Sequence, residues 1–488
     1  MTAVVAAADG RMPRASAAPL AWLRERGMGA SVLVAALSSA LGVLLITATG
    51  WIGAVLSADP FLAGSGTMAL ALSILTFVFL GIAVYVGAIV TANTFATVVA
   101  GRTRRIALLR LIGASARAQR REVATQGLIV GAIGAMLGLV GATALAAVLI
   151  AVGGPLLGVQ NVSYAMVRGD LLIPAAVVAL TTWLAAWVGS RRVLSVTPLE
   201  ALGGAIEQPH AAFARRTGRN VVAVVVFIAG AALLALGIAV GLVSPLGVLI
   251  AFVGGLLSFS GLILGSTLLM PPVLTLIGRA LGRSAPARLA AENARRSPER
   301  SSRMAMGLVI GVTLITMFAV ALESTKAVLA ASAGGELPPE MGAAMDTFTA
   351  IVTALIAVSA VIAAVGLVNL LTLGIVQRRR ELGLLRALGL SSGQVRRMVL
   401  LEATHITVAA VLTGLVLGIA YGWAGAQSLL GSVRVSPDAA ALGTFVAPAI
   451  PLPILGLILV SAAVLTLVAA VVPTRLATRV APIAALAE

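Results

Sequence analysis

The sequence contains the basic segment RTRRIALLRLIGASARAQRR at residues 102–121 and a second one, RRRELGLLRALGLSSGQVRR, at residues 378–397. The two align without a gap when Arg102 is set against Arg378, and we call this alignment the repeat register. Long apolar runs flank both copies. A duplicated unit of this kind is typical of a membrane protein with an internal structural repeat. The identical pairs in the repeat register are Arg102/Arg378, Arg104/Arg380, Leu108/Leu384, Leu109/Leu385, Arg110/Arg386, Gly113/Gly389, Ser115/Ser391, Arg120/Arg396 and Arg121/Arg397.

The composition indicates a membrane protein rather than a soluble one. Of the 488 residues, 60% are hydrophobic and 10% are charged, whereas soluble domains carry about 25% charged residues. A helix needs about 20 apolar residues to cross a bilayer. We therefore predict an all-α polytopic membrane protein with about ten transmembrane helices. The predicted spans are 31–56, 68–92, 125–152, 171–189, 220–241, 247–277, 305–323, 348–375, 400–424 and 451–473.

The distribution of positive charge predicts the orientation. Of the 34 basic residues, only Arg168, Lys326 and Arg434 lie in loops that follow odd-numbered spans. Because cytoplasmic loops retain Lys and Arg, both termini are expected in the cytoplasm. The net charge of +17 is then explained by topology and by contact with anionic lipid head groups, and no nucleic-acid partner is expected.

The repeat predicts a layout of four, two and four spans. We predict a cytoplasmic N-terminal segment with an interfacial helix at 1–29, a first four-helix unit at 30–202, a two-helix linker unit at 203–287 and a second four-helix unit at 288–488. A linker with two spans returns the second unit to the membrane in the same orientation as the first. The internal repeat is therefore expected to be parallel.

Both basic segments predict a helix, a sharp turn and a short helix that runs into the next span. Gly113 and Gly389 can adopt the left-handed conformation that ends a helix, and Ser115 and Ser391 can cap the helix that follows. Ser391 and Gln394 also have the spacing of a capping box.

The second copy resembles the FtsX-like permease family, the membrane subunits of ABC transporters that include the MacB and lipoprotein-release types. The ten-span layout is similar to that of bacitracin-export permeases, although those carry a large extracellular domain between spans seven and eight, where this chain has only residues 324–347. The first copy departs from the family motif, because Arg105 stands where the second copy has Glu381. The resemblance rests on Asn369, Arg378–Gly389, Gln394–Arg397 and Thr478–Leu486.

The resemblance implies that both basic loops are coupling elements that dock on an ATP-binding subunit. Arginine suits this role because it forms bidentate pairs with carboxylates on a partner surface. In the alternative interpretation the arginines only set topology and bind lipid, and Glu381 pairs with Arg378 on its own helix. The candidate coupling residues are Arg104, Arg105, Arg110, Gly113, Ser115, Arg380, Glu381, Arg386, Gly389 and Ser391.

A few polar residues inside or near the spans have two interpretations. Asn93 and Asn369 occupy equivalent positions in the repeat. They either hold helices together or line a substrate path, and packing is favoured. Glu402 and His405 have the spacing of half a carboxylate–histidine motif. Because His210 is the only other histidine, packing is predicted and no metal site is expected.

The chain lacks the chemistry of an ATPase. It has no phosphate-binding loop of the G-x-x-x-x-G-K-[ST] type, and its single lysine is Lys326. The span centres also lack Asp, Glu, Lys and Arg, which argues against ion-coupled secondary transport. We therefore expect no enzymatic activity and no cofactor in this chain. ATP and Mg²⁺ are expected on a separate ABC ATP-binding subunit, in two copies per chain.

Two classes of function remain open. The first is the permease of an ATP-driven exporter of a hydrophobic or amphipathic compound, such as an antimicrobial or lipid-like molecule. The second is a mechanotransmitting subunit that regulates an extracellular partner without transport. Lipid or lipoprotein extraction is a further alternative. The short loops predicted on the outer side favour export, and the expected location is the bacterial cytoplasmic membrane.

Overall fold

The computed structural model describes residues 28–58, 115–156, 164–190, 217–280, 298–332, 386–433 and 444–478, together with Glu292, Leu384 and scattered residues between 74 and 92. Within this part of the chain about 90% of the residues are helical and none lies in a strand. This agrees with the requirement that a chain in lipid must satisfy its backbone polar groups internally. The predicted all-α class is confirmed for the described residues.

The described ranges contain nine α-helices, and seven of them are long and apolar enough to cross a membrane. These seven are α1, α2, α3, α4, α5, α7 and α8. The bounds are α1 (Met28–Ala58), α2 (Ala116–Leu156), α3 (Leu172–Gly189), α4 (Thr217–Gly241), α5 (Gly247–Leu264), α6 (Ser266–Ala280), α7 (Pro298–Ser332), α8 (Ser392–Leu430) and α9 (Leu452–Thr478).

Not every predicted span can be compared with the structure. The predicted span 348–375 lies outside the described residues, and the span 68–92 is represented only by scattered helical residues. The predicted span 451–473 corresponds to α9. The apolar part of α9 that could be assessed, Leu452–Val464, is shorter than a full membrane crossing. The seven candidate spans confirm a polytopic helical protein, whereas the number ten stays a prediction.

The predicted span 247–277 consists of two helices, α5 and α6. Its predicted length exceeds one membrane crossing and allowed for a kink. Helix α5 ends at Leu264. The N–H of the next residue, Gly265, still donates to the carbonyl of Gly261 at 2.9 Å, and α6 begins at Ser266. Pro271 and Pro272 lie inside α6. Each proline lacks an N–H and crowds the carbonyl four residues earlier, which favours a break just upstream.

The two halves of the chain pack their helices in the same way. Helices α1, α2 and α3 pack on one another, as do α7, α8 and α9. A Cβ placed on Gly138 of α2 would collide with Ala36 of α1, and one on Gly414 of α8 would collide with Val312 of α7. In the repeat register Gly138 aligns with Gly414, and Ala36 aligns with Val312. The helix crossing therefore occurs at the same place in both units, which small residues permit.

Helices α4, α5 and α6 give the two units different surroundings. Helices α4 and α5 form a hairpin, and α4, α5 and α6 all contact α8. Among the described helices, α2, which corresponds to α8 in the repeat, packs mainly on α1 and α3. As a result α8 is more deeply buried than α2.

The extended segment 444–450 is held against the last turns of α8. The side-chain Nε2 of Gln427 donates to the carbonyl of Thr444 at 2.9 Å, and its Oε1 accepts from the N–H of Val446 at 2.7 Å. The indole Nε1 of Trp423 donates to the carbonyl of Val446 at 2.8 Å. One buried amide side chain thus satisfies two backbone groups of a segment without regular secondary structure.

Candidate coupling site

A sharp turn precedes α8. The N–H of Leu388 donates to the carbonyl of Leu384 at 2.9 Å, and the N–H of Gly389 donates to the carbonyl of Arg386 at 3.1 Å. Gly389 has a φ of 101°, the one positive value among the described glycines. This is the arrangement by which a helix is closed by a residue in a left-handed conformation. The predicted conformation of Gly389 is confirmed.

Ser391 begins α8 with a complete capping box. The N–H of Gln394 donates to Oγ of Ser391 at 3.2 Å, and the N–H of Ser391 donates to Oε1 of Gln394 at 2.9 Å. Leu390, just before the cap, packs against Val395 in a small buried cluster, which is the position of a hydrophobic staple. The cap and the staple together fix the angle at which the chain enters α8.

The first repeat has the same cap in a weaker form. The N–H of Ala118 donates to Oγ of Ser115 at 3.2 Å, and Ser115 aligns with Ser391 in the repeat register. Ala118 stands where the second repeat has Gln394. Its methyl group cannot accept a hydrogen bond from the N–H of Ser115, so the second bond of the capping box is absent. The segment predicted as a short helix is, in both repeats, the first turns of the long helices α2 and α8. A displacement of either turn is therefore passed directly to a candidate membrane span.

Two leucines in front of the second turn are exposed. Leu384 is 51% exposed and Leu388 is 72% exposed, and their four-residue spacing places them on one face of the helical turn. Sequence reasoning missed both residues, because leucine suggests burial. The available signal was that Leu384 is identical in the two repeats and that Leu388 aligns with Ile112. Two exposed leucines on one face of this turn can contact another molecule or the membrane.

The comparison with known proteins identifies the family. The family model described as "FtsX-like permease C-terminal" matches residues 77–198 and again residues 353–482, together just over half of the chain. The chain belongs to the FtsX-like permease family. The first residues of the two matches, Phe77 and Thr353, align with each other in the repeat register.

Two curated relatives match shorter stretches of this permease. It is 32% identical over 65 residues to the ABC transporter permease YtrF of Bacillus subtilis (strain 168), which covers 13% of the chain and 14% of YtrF. It is 30% identical over 95 residues to YknZ of the same organism, described as an uncharacterized ABC transporter permease, which covers 19% of the chain and 23% of YknZ. The aligned segments thus span less than a quarter of either relative.

The arginines in the first turns of α2 and α8 of the permease have different surroundings. Arg396 and Arg397 at the start of α8 are exposed. In the first repeat Arg121 is likewise exposed, but Arg120 is half-buried and its guanidinium carbon lies 4.3 Å from the centre of the Trp187 ring. Such a cation–π contact holds Arg120 against α3. The first turns of α2 and α8 therefore present their arginines differently.

Several predicted site residues of the permease lie outside the described residues, and their roles stay predictions. Of the predicted site residues that the structure describes, Arg386 is half-buried in the helical turn before α8. The predicted residues outside the described part are Asn93, Arg104, Arg105, Arg110, Gly113, Asn369, Arg380 and Glu381.

Glu402 and His405 are both buried in α8. The Nε2 atom of His405 forms a hydrogen bond with the carbonyl of Leu274 in α6 at 2.8 Å. This bond joins α8 to α6. Among the described residues, no group of three or more His, Cys, Asp or Glu is placed to hold a metal ion.

Proposed function

We propose that this permease is the membrane subunit of an ABC transporter, and that the turns before α2 and α8 are its coupling elements. The observation that carries the proposal is the turn at Gly389, which is closed by a left-handed glycine, capped by Ser391 and flanked by exposed Leu384 and Leu388. A rigid turn with apolar and basic side chains suits docking in a groove of a partner. The continuous helix that follows supports transmission of its movement into the membrane.

A separate ATP-binding subunit, with Mg²⁺, supplies the energy in this proposal. The chain contains no phosphate-binding loop, and its single lysine, Lys326, lies in the last part of α7. Two coupling turns in one chain support a stoichiometry of one permease to two ATP-binding subunits. The unequal arginines and the weaker cap at Ser115 support two docking sites of different strength.

The proposed topology is ten spans in the order four, two and four, with both termini in the cytoplasm of a bacterium and the chain in the cytoplasmic membrane. The seven candidate spans and the positions of the basic residues support it. In this orientation the turns before α2 and α8 face the cytoplasm, where an ATP-binding subunit can reach them.

The proposed substrate is a hydrophobic or amphipathic compound that is exported from or across the membrane. The loops on the outer side are short in this topology, which supports extraction of a small molecule. A mechanotransmitting role, or extraction of lipid or lipoprotein, is the second candidate. The absence of a large domain at residues 324–347 disfavours a mechanotransmitter that grips an outer partner.

The proposal is tested by purifying the chain alone and together with each ABC ATP-binding subunit of the same organism. We expect the chain alone to show no ATP hydrolysis and the complex to hydrolyse ATP. Loss of hydrolysis in a Walker A variant of the partner controls for contaminating ATPases. Hydrolysis by the highly purified chain would contradict the proposal, and so would the failure of every encoded ATP-binding subunit to bind it.

A further inference from the structure

Helix α5 carries a short segment that lies where the two units of the repeat meet. The segment consists of Ser258, Phe259 and Ser260, and we call it the α5 joint. Phe259 is 8% exposed and belongs to a hydrophobic cluster that also contains Leu41 of α1 and Ile310 of α7. Helix α1 belongs to the first repeat and α7 to the second, so the aromatic ring is shared by both.

The two serines of the α5 joint hold tyrosines from different halves of the chain. The hydroxyl of Ser260 lies 2.7 Å from that of Tyr85, and the hydroxyl of Ser258 lies 2.8 Å from that of Tyr421. Tyr85 falls within the first match to the family and Tyr421 within the second. Successive helical residues are about 100° apart, so Ser258 and Ser260 point to nearly opposite sides of α5. This is why one helix can bond to both halves.

The aromatic ring between the serines strengthens both contacts. The ring centre of Phe259 lies 6.4 Å from that of Tyr85 and 6.0 Å from that of Tyr421, with edge-to-face geometry in each case. Such pairs add to the stability gained from burial. The hydroxyl of Tyr85 also lies 3.1 Å from the carbonyl of Leu256. Each tyrosine thus has a polar and an apolar contact with α5.

The hairpin that carries the α5 joint is closely packed. A Cβ on Gly230 of α4 would overlap the backbone of Ser258, and a Cβ on Gly254 of α5 would overlap the backbone of Leu234. Backbones in such close contact pack over a large area and shift little relative to each other. The hairpin is therefore suited to move as one body.

The same hairpin and α6 contact α8 at further points along its length. Gly241 at the end of α4 lies against the backbone of Ser428, and His405 bonds to the carbonyl of Leu274 in α6. Together with Tyr421 these contacts follow α8 over a rise of about 35 Å at 1.5 Å per residue. Helix α8 begins at the capped turn, so a shift of that turn reaches the α5 joint through one continuous helix.

We infer that the α5 joint couples the two four-helix units, with Tyr85 and Tyr421 as positioning residues that fix one unit relative to the other. The middle hairpin then does more than restore the orientation of the chain between two repeats. It carries movement of α8 to the first unit. The transmission of movement from α8 to the first unit rests on the proposed function. The positioning of the two units by the α5 joint does not.

The first experiment uses the full chain in lipid nanodiscs, without a partner or substrate. The sequence contains no cysteine, so Val140→Cys and Val416→Cys introduce one spin label at equivalent exposed positions of each repeat, away from the proposed docking turns. Double electron–electron resonance then measures the distance between the labels. We expect the double variant Tyr85→Phe/Tyr421→Phe, which keeps both rings, to broaden the distance distribution by about twofold, because it removes both hydroxyl contacts between helices.

Matched variants distinguish the loss of the contacts at the α5 joint from the loss of a hydroxyl group elsewhere in a span. Thr413→Val on α8 removes a hydroxyl that bonds to Ala409 on its own helix, and it should leave the distribution unchanged. Ser260→Ala should broaden the distribution, and Ser260→Thr, which keeps the hydroxyl, should restore it. Unchanged distributions in the tyrosine pair, in Ser260→Ala and in Phe259→Ala would overturn the inference and leave the cluster as packing only.

A second arm adds the ATP-binding subunit and compares ATP with ATP plus vanadate. We expect the label distance to change between these states in the parent chain. The tyrosine pair variant, Tyr85→Phe/Tyr421→Phe, should reduce the change in label distance by at least the same fraction as it reduces ATP hydrolysis. Broadening in the first experiment without any binding of an ATP-binding subunit would leave the α5 joint in place and contradict the proposed function. A full nucleotide-dependent change in the tyrosine pair variant would overturn the joint and leave the proposed function in place.

Discussion

Gly389→Val is predicted to impair coupling while leaving the chain in the membrane. The φ of Gly389 is 101°, and a Cβ at this position meets nothing within 4 Å. The cost of the substitution is therefore conformational and not a collision with a neighbour. A left-handed residue costs about 1–2 kcal/mol when it carries a Cβ, and a β-branched residue lies at the upper end of such costs.

This strain is expected to weaken the binding of the ATP-binding subunit. Because about 1.4 kcal/mol corresponds to a factor of ten, the equilibrium ratio of the native turn to its alternatives falls about 5- to 30-fold. If only the native turn docks, the apparent Kd for the ATP-binding subunit rises by at most this factor. Gly389→Asn should show a smaller effect, because asparagine tolerates the left-handed region better than valine does.

The assay measures binding of the ATP-binding subunit to nanodisc-embedded chain and ATP hydrolysis by the complex, at matched amounts of chain in the membrane. Gly393→Ala is the control, because Gly393 lies in the first turn of α8 and its Cβ would come no closer than 3.9 Å to Oγ of Ser391. Alanine there favours the helix by about 0.5–1 kcal/mol, so binding should be retained. Wild-type binding and hydrolysis by Gly389→Val would refute the assignment of this turn as a docking element.

Three further predictions follow from the caps, the helix crossings and the repeat. Ser391→Ala should destabilise the start of α8 by about 1 kcal/mol, seen as faster hydrogen exchange in its first turn, and Ser391→Thr should restore protection. Gly138→Val and Gly414→Val should each disrupt a helix crossing and lower the yield of monodisperse protein in detergent chromatography. Gly141→Val should not, because its Cβ faces open space; equal yields of all three variants would contradict the crossings. Native mass spectrometry should find one permease chain with two ATP-binding subunits, and two permease chains in the minimal active complex would exclude that stoichiometry.

The turn before α8 could be predicted from sequence because its determinants are local. Ser391 and Gln394 form both bonds of the capping box across three residues, and the glycine two positions earlier ends the preceding helix. The length of the predicted span 247–277 allowed for a kink, but average hydropathy did not place it, because hydropathy is insensitive to the loss of backbone donors at Pro271 and Pro272.

The α5 joint could not be predicted, because its partners are distant in sequence. The hydroxyls of Tyr85 and Ser260 belong to residues separated by 175 positions, and those of Ser258 and Tyr421 by 163. A serine in a span can also bond to its own helix, so its presence does not name a partner. The exposure of Leu388 was missed for a related reason, since the sequence does not show whether a leucine faces lipid, core or solvent.

Two of the buried polar side chains of α8, His405 and Gln427, acquire their partners at different moments of synthesis. The carbonyl that binds His405 belongs to Leu274, 131 residues earlier in the chain, and is already present when α8 leaves the ribosome. The partners of Gln427 are Thr444 and Val446, 17 and 19 residues later. A nascent chain that stops before Thr444 therefore carries an unsatisfied amide at the end of α8. Biogenesis of α8 is completed only when the following segment has been translated.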